Sequence, residues 1–284
     1  MKAKDTVSVI IVSYNTCNLL KQTLNSIYQA EGKPNWLEIL VVDNNSQDGS
    51  WQMVKKEFPK IRLMALKKNL GFAKANNLAA AKASGKYLLF LNSDTILRSR
   101  AIAKMINFSK AKPKVGIVGP KLLAEPKKVQ AFGMGYKTNL KQKIKTHLAP
   151  ILANFGFSRK WLTKLSLEYW DWRRPRQVAW VTGAALMIKK DFFNKLGGFD
   201  AGFFMYFEDQ DLCWRATRAG YQIWVLPQAK IIHLGGQSLN LTAQRKRYYY
   251  QSEDRFYQKH FSRKDYYLMR IVSAPFRWRS LLKK

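Results

Sequence analysis

The sequence predicts an α/β domain: a mostly parallel central sheet flanked by helices, with a basic helical insertion and a basic C-terminal tail. Two observations carry this. Short β-branched runs alternate with helical segments from Val7 to Val118, the pattern of parallel strands joined by crossover helices. Two carboxylates, Asp43 and Asp94, close apolar runs, and ligands of open parallel sheets bind beyond the strands' carboxyl ends.

The elements follow in order. Val7–Ser13 reads as the first strand. A helix from about Asn18 to Gln29 places Leu19, Leu20, Thr23, Leu24 and Ile27 on one face. Leu37–Asp43 is the second strand, and a helix near Ser50–Phe58 and a strand at Ile61–Leu66 come next. An Ala-rich helix from Phe72 to Ser84 stops at Gly85. Tyr87–Leu91 is a fully apolar strand running into Asn92, Ser93 and Asp94; a helix to about Lys110 and a strand at Val115–Val118 complete the repeat. Residues 121–176 break the alternation. They are basic and aromatic, with Leu148, Ile151, Leu152 and Phe155 at helical spacing. Apolar runs resume at Val178–Thr182 and Ala184–Ile188, then a helix at Glu208–Ala219 and strands at Gln222–Leu226 and Lys230–His233. The expected organisation is a catalytic domain over 1–240, with its insertion at about 121–176, and an extension over 241–284 suited to a membrane surface.

At 284 residues and 47% hydrophobic, the chain suffices for one α/β core rather than two full domains. Lys and Arg number 50 against 18 Asp and Glu, a net charge of +32. The partner is therefore expected to be anionic: nucleic acid, an anionic membrane face or a phosphorylated small molecule. Cys17 and Cys213 have no paired spacing, so neither a disulfide framework nor a cysteine metal site is expected, and the cytosol is the simplest compartment. The run Val7–Val12 lacks the length and cleavage pattern of a signal peptide, and no apolar run approaches the ~20 residues of a membrane span.

Several residue types could carry chemistry. Asp94 could hold a hard divalent cation that bridges two phosphates, or it could cap the helix expected after it. Glu208, Asp209 and Asp211 form a dense acidic cluster in a basic chain, behind the aromatic loop Phe203–Phe207. Carboxylates favour a helix's first turn, but beside a partly apolar pocket one could serve as general base. His233 follows a strand end and could ligate a metal or be structural. Asp43, followed by Asn44, Asn45 and Ser46, offers partners for a base or ribose, or an Asx turn. Gly71, after Asn69, precedes a helix and lets backbone approach a ligand. No Gly-x-Gly-x-x-Gly or P-loop lysine motif is present, against dinucleotide oxidoreductases and P-loop NTPases.

Together VIIVSYN (9–15), ILVVDNN (39–45), NLGFA (69–73), LFLNSDT (89–95) and FEDQDLCWR (207–215) resemble the inverting family-two glycosyltransferases in order and spacing, over roughly residues 7–240. The resemblance implies a GT-A fold, a nucleotide-diphospho-sugar donor and a divalent metal, Mg²⁺ or Mn²⁺. The family's Asp-x-Asp metal motif falls on Asn92, Ser93 and Asp94, so its first aspartate is Asn92 here. That departure leaves Asp94 as the main carboxylate and gives His233 more weight as second ligand. Family roles carried onto matching positions put base and ribose against Ser13, Asn15, Asp43, Asn45 and Asn69. They make Asp209 the base that takes the acceptor's proton, with Glu208 the alternative. Trp180 and Gly183, within WVTGA (180–184), would line the sugar and acceptor side. LNSDT (91–95) with HLGGQS (233–238) is most similar to rhamnosyltransferases of bacterial cell-surface polysaccharide synthesis, which suggests dTDP-rhamnose as donor.

The implied reaction is one in-line displacement with inversion. Lys and Arg interleaved with aromatic residues, as in Trp161–Trp172 and Tyr266–Trp278, suit an anionic bilayer surface or, equally, helices packed on the core with solvated basic faces. A lipid-linked saccharide acceptor and a peripheral position on the cytoplasmic face of the membrane follow from the first option. Two other classes compete. A nucleic-acid-binding protein would use the charge and aromatics but leaves the strand-end acids unexplained; a nucleotidyltransferase shares the sheet and metal chemistry but attacks a nucleoside triphosphate.

Overall fold

The structure, a computed structural model, describes residues 6–125, 128–130, 133–135, 172–237 and 243–282. Its elements are β1 (Val7–Ser13), α1 (Cys17–Glu31), β2 (Leu37–Asp43), α2 (Ser50–Glu57), β3 (Arg62–Ala65), α3 (Gly71–Lys82), β4 (Tyr87–Asn92), β5 (Thr95–Arg98), α4 (Ala101–Ala111) and β6 (Val115–Glu125). There follow β7 (Lys128–Val129), β8 (Met134–Gly135), β9 (Arg176–Val178), β10 (Trp180–Val181), β11 (Ala185–Lys189), α5 (Lys190–Lys195), α6 (Glu208–Arg218) and β12 (Gln222–His233). A 3₁₀ turn over Leu234–Gln237 and helices α7 (Ala243–His260) and α8 (Arg263–Leu282) complete the chain.

The main sheet runs β3-β2-β1-β4-β11-β6-β12-β5, with the first four strands parallel. β1 and β4 lie between helical layers, so each is an almost unbroken apolar run rather than an alternating one. On one face α1 buries Leu20, Thr23, Leu24 and Ile27, the i, i+3, i+4, i+7 stripe of an amphipathic helix, in a core with Val9, Leu89 and Ile106. The other face holds Ile10, Phe90, Ala79, Phe193, Phe199 and Leu212. Parallel register brings Ser13 opposite Asp43 and Val12 opposite Asn92, so the polar strand ends share one edge of the sheet.

Two expectations are corrected here. Thr95–Arg98 is not the start of a helix but strand β5, paired antiparallel with Lys230–His233; the helix begins at Ala101. Asp94 therefore lies in a two-residue turn between strands and caps nothing. Thr95 and Ile96 are β-branched, and the apolar edge of β12 supplies a pairing partner that local helix propensity could not outweigh. The two strands expected at 222–226 and 230–233 are one, β12, in which a bulge between Leu226 and Lys230 absorbs Pro227.

The range read as a basic helical insertion starts later than 121, because Lys121–Glu125 continue β6 and 128–129 and 134–135 are strand. Residues 136–171, with the helical spacing of Leu148–Phe155 and the segment from Trp161, lie outside the described residues. The C-terminal extension is two antiparallel helices. Their Phe256, Tyr257 and Met269 pack with Phe203 and Phe207 of the aromatic loop into a third core. No helix among the described residues is long and apolar enough to cross a membrane.

Candidate active site

The edge where β1, β2 and β4 end carries the polar residues singled out from sequence. After β2, Asp43 Oδ1 accepts the N–H of Ser46, three residues on, at 2.9 Å, while its Oδ2 is buried with no hydrogen-bond partner among the described residues. Asp43 lines a depression of about 210 Å³ with Asn45, Ser46, Gln47, Trp51, Gln52, Ala65 and Leu66. Asn15, itself left-handed at φ 53°, braces this loop: its N–H donates to Ser46 Oγ (3.0 Å) and its Oδ1 accepts the Gln47 N–H (2.8 Å). Ser13 Oγ contacts Thr16 Oγ1 at 2.8 Å, and Thr16 Oγ1 contacts Ser93 Oγ at 2.9 Å. That hydroxyl chain ties β1 to the β4–β5 turn. Asn69 Oδ1 accepts from Asn44 Nδ2 and the Gly71 N–H, both at 2.9 Å, which shapes the turn into α3. Gly71 has φ 77°, and an added Cβ would lie 2.4 Å from the Phe204 carbonyl oxygen. Glycine is thus required for α3 to dock on the aromatic loop.

The β4–β5 turn meets the end of β12. Leu234 N–H donates to the Asp94 carbonyl at 2.8 Å. His233 Nε2 stands 3.2 Å from Asp94 Oδ1 and 3.2 Å from Asn92 Nδ2. Among the described residues Asp94 Oδ1 is buried and forms no aligned hydrogen bond, which suits a cation ligand. Gln130 Oε1 lies 3.1 Å from the other ring nitrogen, Nδ1. The network is satisfied when Nδ1 carries the proton and donates to Gln130, leaving the Nε2 lone pair toward Asp94. Adjacent ligands around an octahedral Mg²⁺, with bonds of about 2.1 Å, stand roughly 3.0 Å apart. The Asp94–His233 separation thus fits a shared divalent ion. Among the described residues no three acidic, histidine or cysteine side chains converge, so these two would hold the ion with oxygens from outside that set.

The acidic cluster lies at the start of α6. Tyr206 and Phe207 are both left-handed, at φ 70° and 64°, immediately before Glu208. Such backbone is costly for bulky residues and is held here by the third core. Asp209 Oδ2 accepts the Gly183 N–H at 2.8 Å and Oδ1 the Gln210 N–H at 2.7 Å. The next carbonyl after Gly183, that of Ala184, accepts the Asn92 N–H at 3.0 Å. Asp209 is therefore two residues of β10–β11 connection away from the strand that presents Asp94. Burial raises the pKa of Asp209 against these backbone bonds and one from Thr182. Burial and the Asp209 charge push Glu208 well above the usual carboxylate range, and its Oε2 has no hydrogen-bond partner among the described residues. Of the two, Glu208 is the natural holder of a proton and Asp209 of the negative charge.

Asp211 does different work. Although burial opposes it, hydrogen bonds from His260 and Lys259 and the Arg215 charge hold its pKa below the ordinary value. His260 Nε2 and Lys259 Nζ each reach Asp211 Oδ1 at 2.7 Å. With Ser252 Oγ donating to the Met205 carbonyl at 2.7 Å, they clamp α7 onto the helix and loop that carry Asp209. Gly183 packs near the Phe72 ring and Asp209, whereas Trp180 lies over Gly135 in the small β8–β10 sheet.

Sequence reasoning missed Gln130, Thr182, His260 and the Trp51–Gln52 wall. Trp51 follows an Asx-rich strand end and could have been placed by that. Gln130 is 103 residues from His233 within the range read as an insertion, and no local signal joins them.

The profile of glycosyl transferase family 2 matches residues 8–166. One described as the N-terminal domain of galactosyltransferase matches residues 163–235. N-acetylglucosaminyl-diphospho-decaprenol L-rhamnosyltransferase of Mycobacterium tuberculosis (strain ATCC 25618 / H37Rv) is 27% identical over 242 residues, 81% of this chain and 76% of that protein. Rhamnosyltransferase WbbL of Escherichia coli (strain K12) is 27% identical over 176 residues, 57% of this chain and 60% of its own. Among solved structures, the mannosyltransferase PcManGT from Pyrobaculum calidifontis, in complex with GDP-Man and Mn²⁺, matches with TM-score 0.61 at 16% identity, covering 98% of this chain and 73% of that one. GalNAc-T7 with UDP, GalNAc and Mn²⁺ matches at 0.60 and 16% identity; this chain spans 80% of its own length but 43% of that larger protein. These likenesses show the GT-A fold.

Proposed function

The chain belongs to glycosyl transferase family 2, and on that premise we propose that it transfers rhamnose from dTDP-rhamnose to a hydroxyl of a lipid-linked saccharide, with inversion, in the synthesis of a cell-surface polysaccharide. The observation that carries the reading is that one strand end, that of β4, leads into Asp94 beside His233 and is joined at Asn92, through Ala184 and Gly183, to the Asp209 anchor. Rhamnose and the lipid-linked acceptor are supported by the relatives: two bear rhamnosyltransferase names, one with an N-acetylglucosaminyl-diphospho-decaprenol acceptor. Asp43 Oδ2, buried and without a partner among the described residues, suits the N–H of a pyrimidine such as thymine, and Asn45 the deoxyribose beside it.

In this scheme Asp209 takes the proton from the acceptor hydroxyl as that oxygen bonds to the anomeric carbon. The bond from that carbon to the diphosphate oxygen breaks in line on the opposite face, and dTDP departs with the electron pair. Asp94 and His233 would hold a divalent ion, and its charge would stabilise the departing diphosphate. Gly183 N–H and Thr182 orient Asp209, and Glu208 keeps its proton so that the pair carries one charge. Residues 1–240 form the catalytic unit in this reading, the 241–284 extension braces its aromatic loop, and the protein works peripherally at the cytoplasmic face of the membrane.

Thermal-shift titration with dTDP-rhamnose, UDP-sugars and GDP-mannose, with and without Mn²⁺, tests the donor. A shift selective for dTDP-rhamnose and dependent on Mn²⁺ is expected. A larger shift with another nucleotide sugar, or none that needs metal, overturns the assignment.

A further inference from the structure

The C-terminal helix α8 is amphipathic in the reverse of the usual sense toward water. Its packed side buries Met269 and Ser273. Arg270 and Arg277 fasten the helix to α7 through Asp254 and Glu253, at 2.6 to 2.8 Å. Its outward side carries Tyr267, Ile271 and Trp278, exposed by 63%, 69% and 67%, with Leu268 at 39% beside them. Exposed Ala274 completes the spacing i, i+4, i+7, i+11, an apolar stripe about 16 Å long that passes Pro275. Seven large hydrophobic side chains are exposed among the described residues, and four of them are on this one helix, so the stripe is not ordinary surface scatter. Arg263 and Lys264 stand on the same side at its N-terminal end.

We propose that this face of α8 is the surface by which the protein lies on an anionic lipid bilayer, its Tyr, Ile and Trp seated among the headgroups and the flanking cations on the lipid phosphates. Tyr and Trp have the apolar body and polar edge that favour the interfacial zone, and a one-helix stripe inserts to about 5–10 Å without spanning. Charge selects the bilayer over a second copy of the chain. Pairing two stripes would bring together two molecules of net charge +32, whereas an anionic leaflet is attracted to that field. The proposal rests on the reading that the acceptor is lipid-linked. Because α7 ties α8 to the Asp211 clamp, it also sets which side of the enzyme faces the membrane.

Cosedimentation of the full chain with phosphatidylcholine–phosphatidylglycerol vesicles, against phosphatidylcholine alone, tests it. Wild-type protein is expected to bind the mixed vesicles, less so at high salt. Combined Tyr267→Ser, Ile271→Ser and Trp278→Ser is expected to weaken binding at least about tenfold, since each removes apolar area from the interface. Arg263→Gln with Lys264→Gln should reduce the salt dependence instead. The exposed positions leave the core intact, so the melting temperature and transfer to a water-soluble acceptor should not change. Undiminished pelleting of the triple variant, or a wild-type dimer that the variant dissolves, overturns the proposal. Vesicle binding without transfer from any nucleotide sugar would instead defeat the proposed reaction and leave the docking face standing.

Discussion

Gln130 Oε1 and His233 Nδ1 lie 3.1 Å apart, although 103 residues separate them. The amide oxygen can only accept, so the contact places the ring proton on Nδ1 and leaves Nε2 as the ligand atom. Gln130→Leu removes that acceptor and frees the ring to turn or to protonate at Nε2. Mn²⁺ affinity, read from free Mn²⁺ by electron paramagnetic resonance, should fall by about 10–100-fold. The metal-free melting temperature should barely move, and Gln130→Glu, which keeps an acceptor, should restore affinity. Equal Mn²⁺ binding by Gln130→Leu and wild type would show that His233 needs no orienting partner.

Gly235 sets the other side of the same site. A Cβ there would fall 1.7 Å from Asp94 Oδ2, far inside any permitted contact. Gly235→Ala must therefore push the Asp94 carboxylate or the 3₁₀ turn aside. Weaker Mn²⁺ binding with modest loss of stability is expected by calorimetry, because the turn is at the surface end of β12 while the carboxylate has no slack. Unaltered Mn²⁺ affinity would mean that Asp94 does not hold the ion from this rotamer.

Much of this was legible in the sequence, and the parts that were not share a cause. The strand ends at Asp43 and Asp94 were readable because buried parallel strands leave uninterrupted apolar runs. The short strand Thr95–Arg98 was not, since its pairing with Lys230–His233 is set more than 130 positions away. Asp209 was readable from its motif, but its separation from Asp211 in function was not. That division depends on Gly183 on one side and on Lys259 and His260 on the other. His260 lies in a basic helix, and its role comes from the contact of α7 with Asp211 on α6.

Asp94→Ala and Asp209→Asn should fail in different ways. The first removes the carboxylate expected to hold the ion against the diphosphate, so donor affinity and turnover should both drop. The second keeps the size of the side chain and a carbonyl oxygen for one of the two backbone N–H groups that Asp209 receives, but it cannot take the acceptor's proton. Its kcat should fall by about 10²–10⁴ with donor affinity spared. Steady-state kinetics beside donor binding by calorimetry separates the two. Near-normal transfer by Asp209→Asn would remove it as the base and turn attention to Glu208.

Glu208 supplies a test by pH. Burial, and then the Asp209 charge, raise its pKa well above the usual range. Between the ordinary glutamate value of about 4.3 and that raised value, the folded state holds a proton the unfolded state has released. More protons bound to the native state means that stability falls as pH rises through this window. Glu208→Gln mimics the protonated acid and removes that cost. Its melting temperature should thus gain on wild type progressively as pH rises above about 5. The clamp at Asp211, where lowered pKa gives the opposite slope at lower pH, is common to both proteins and cancels in the difference. A difference that stays flat across the range would mean that Glu208 is ionised in the folded protein, and the assignment of the single charge to Asp209 would have to be reversed.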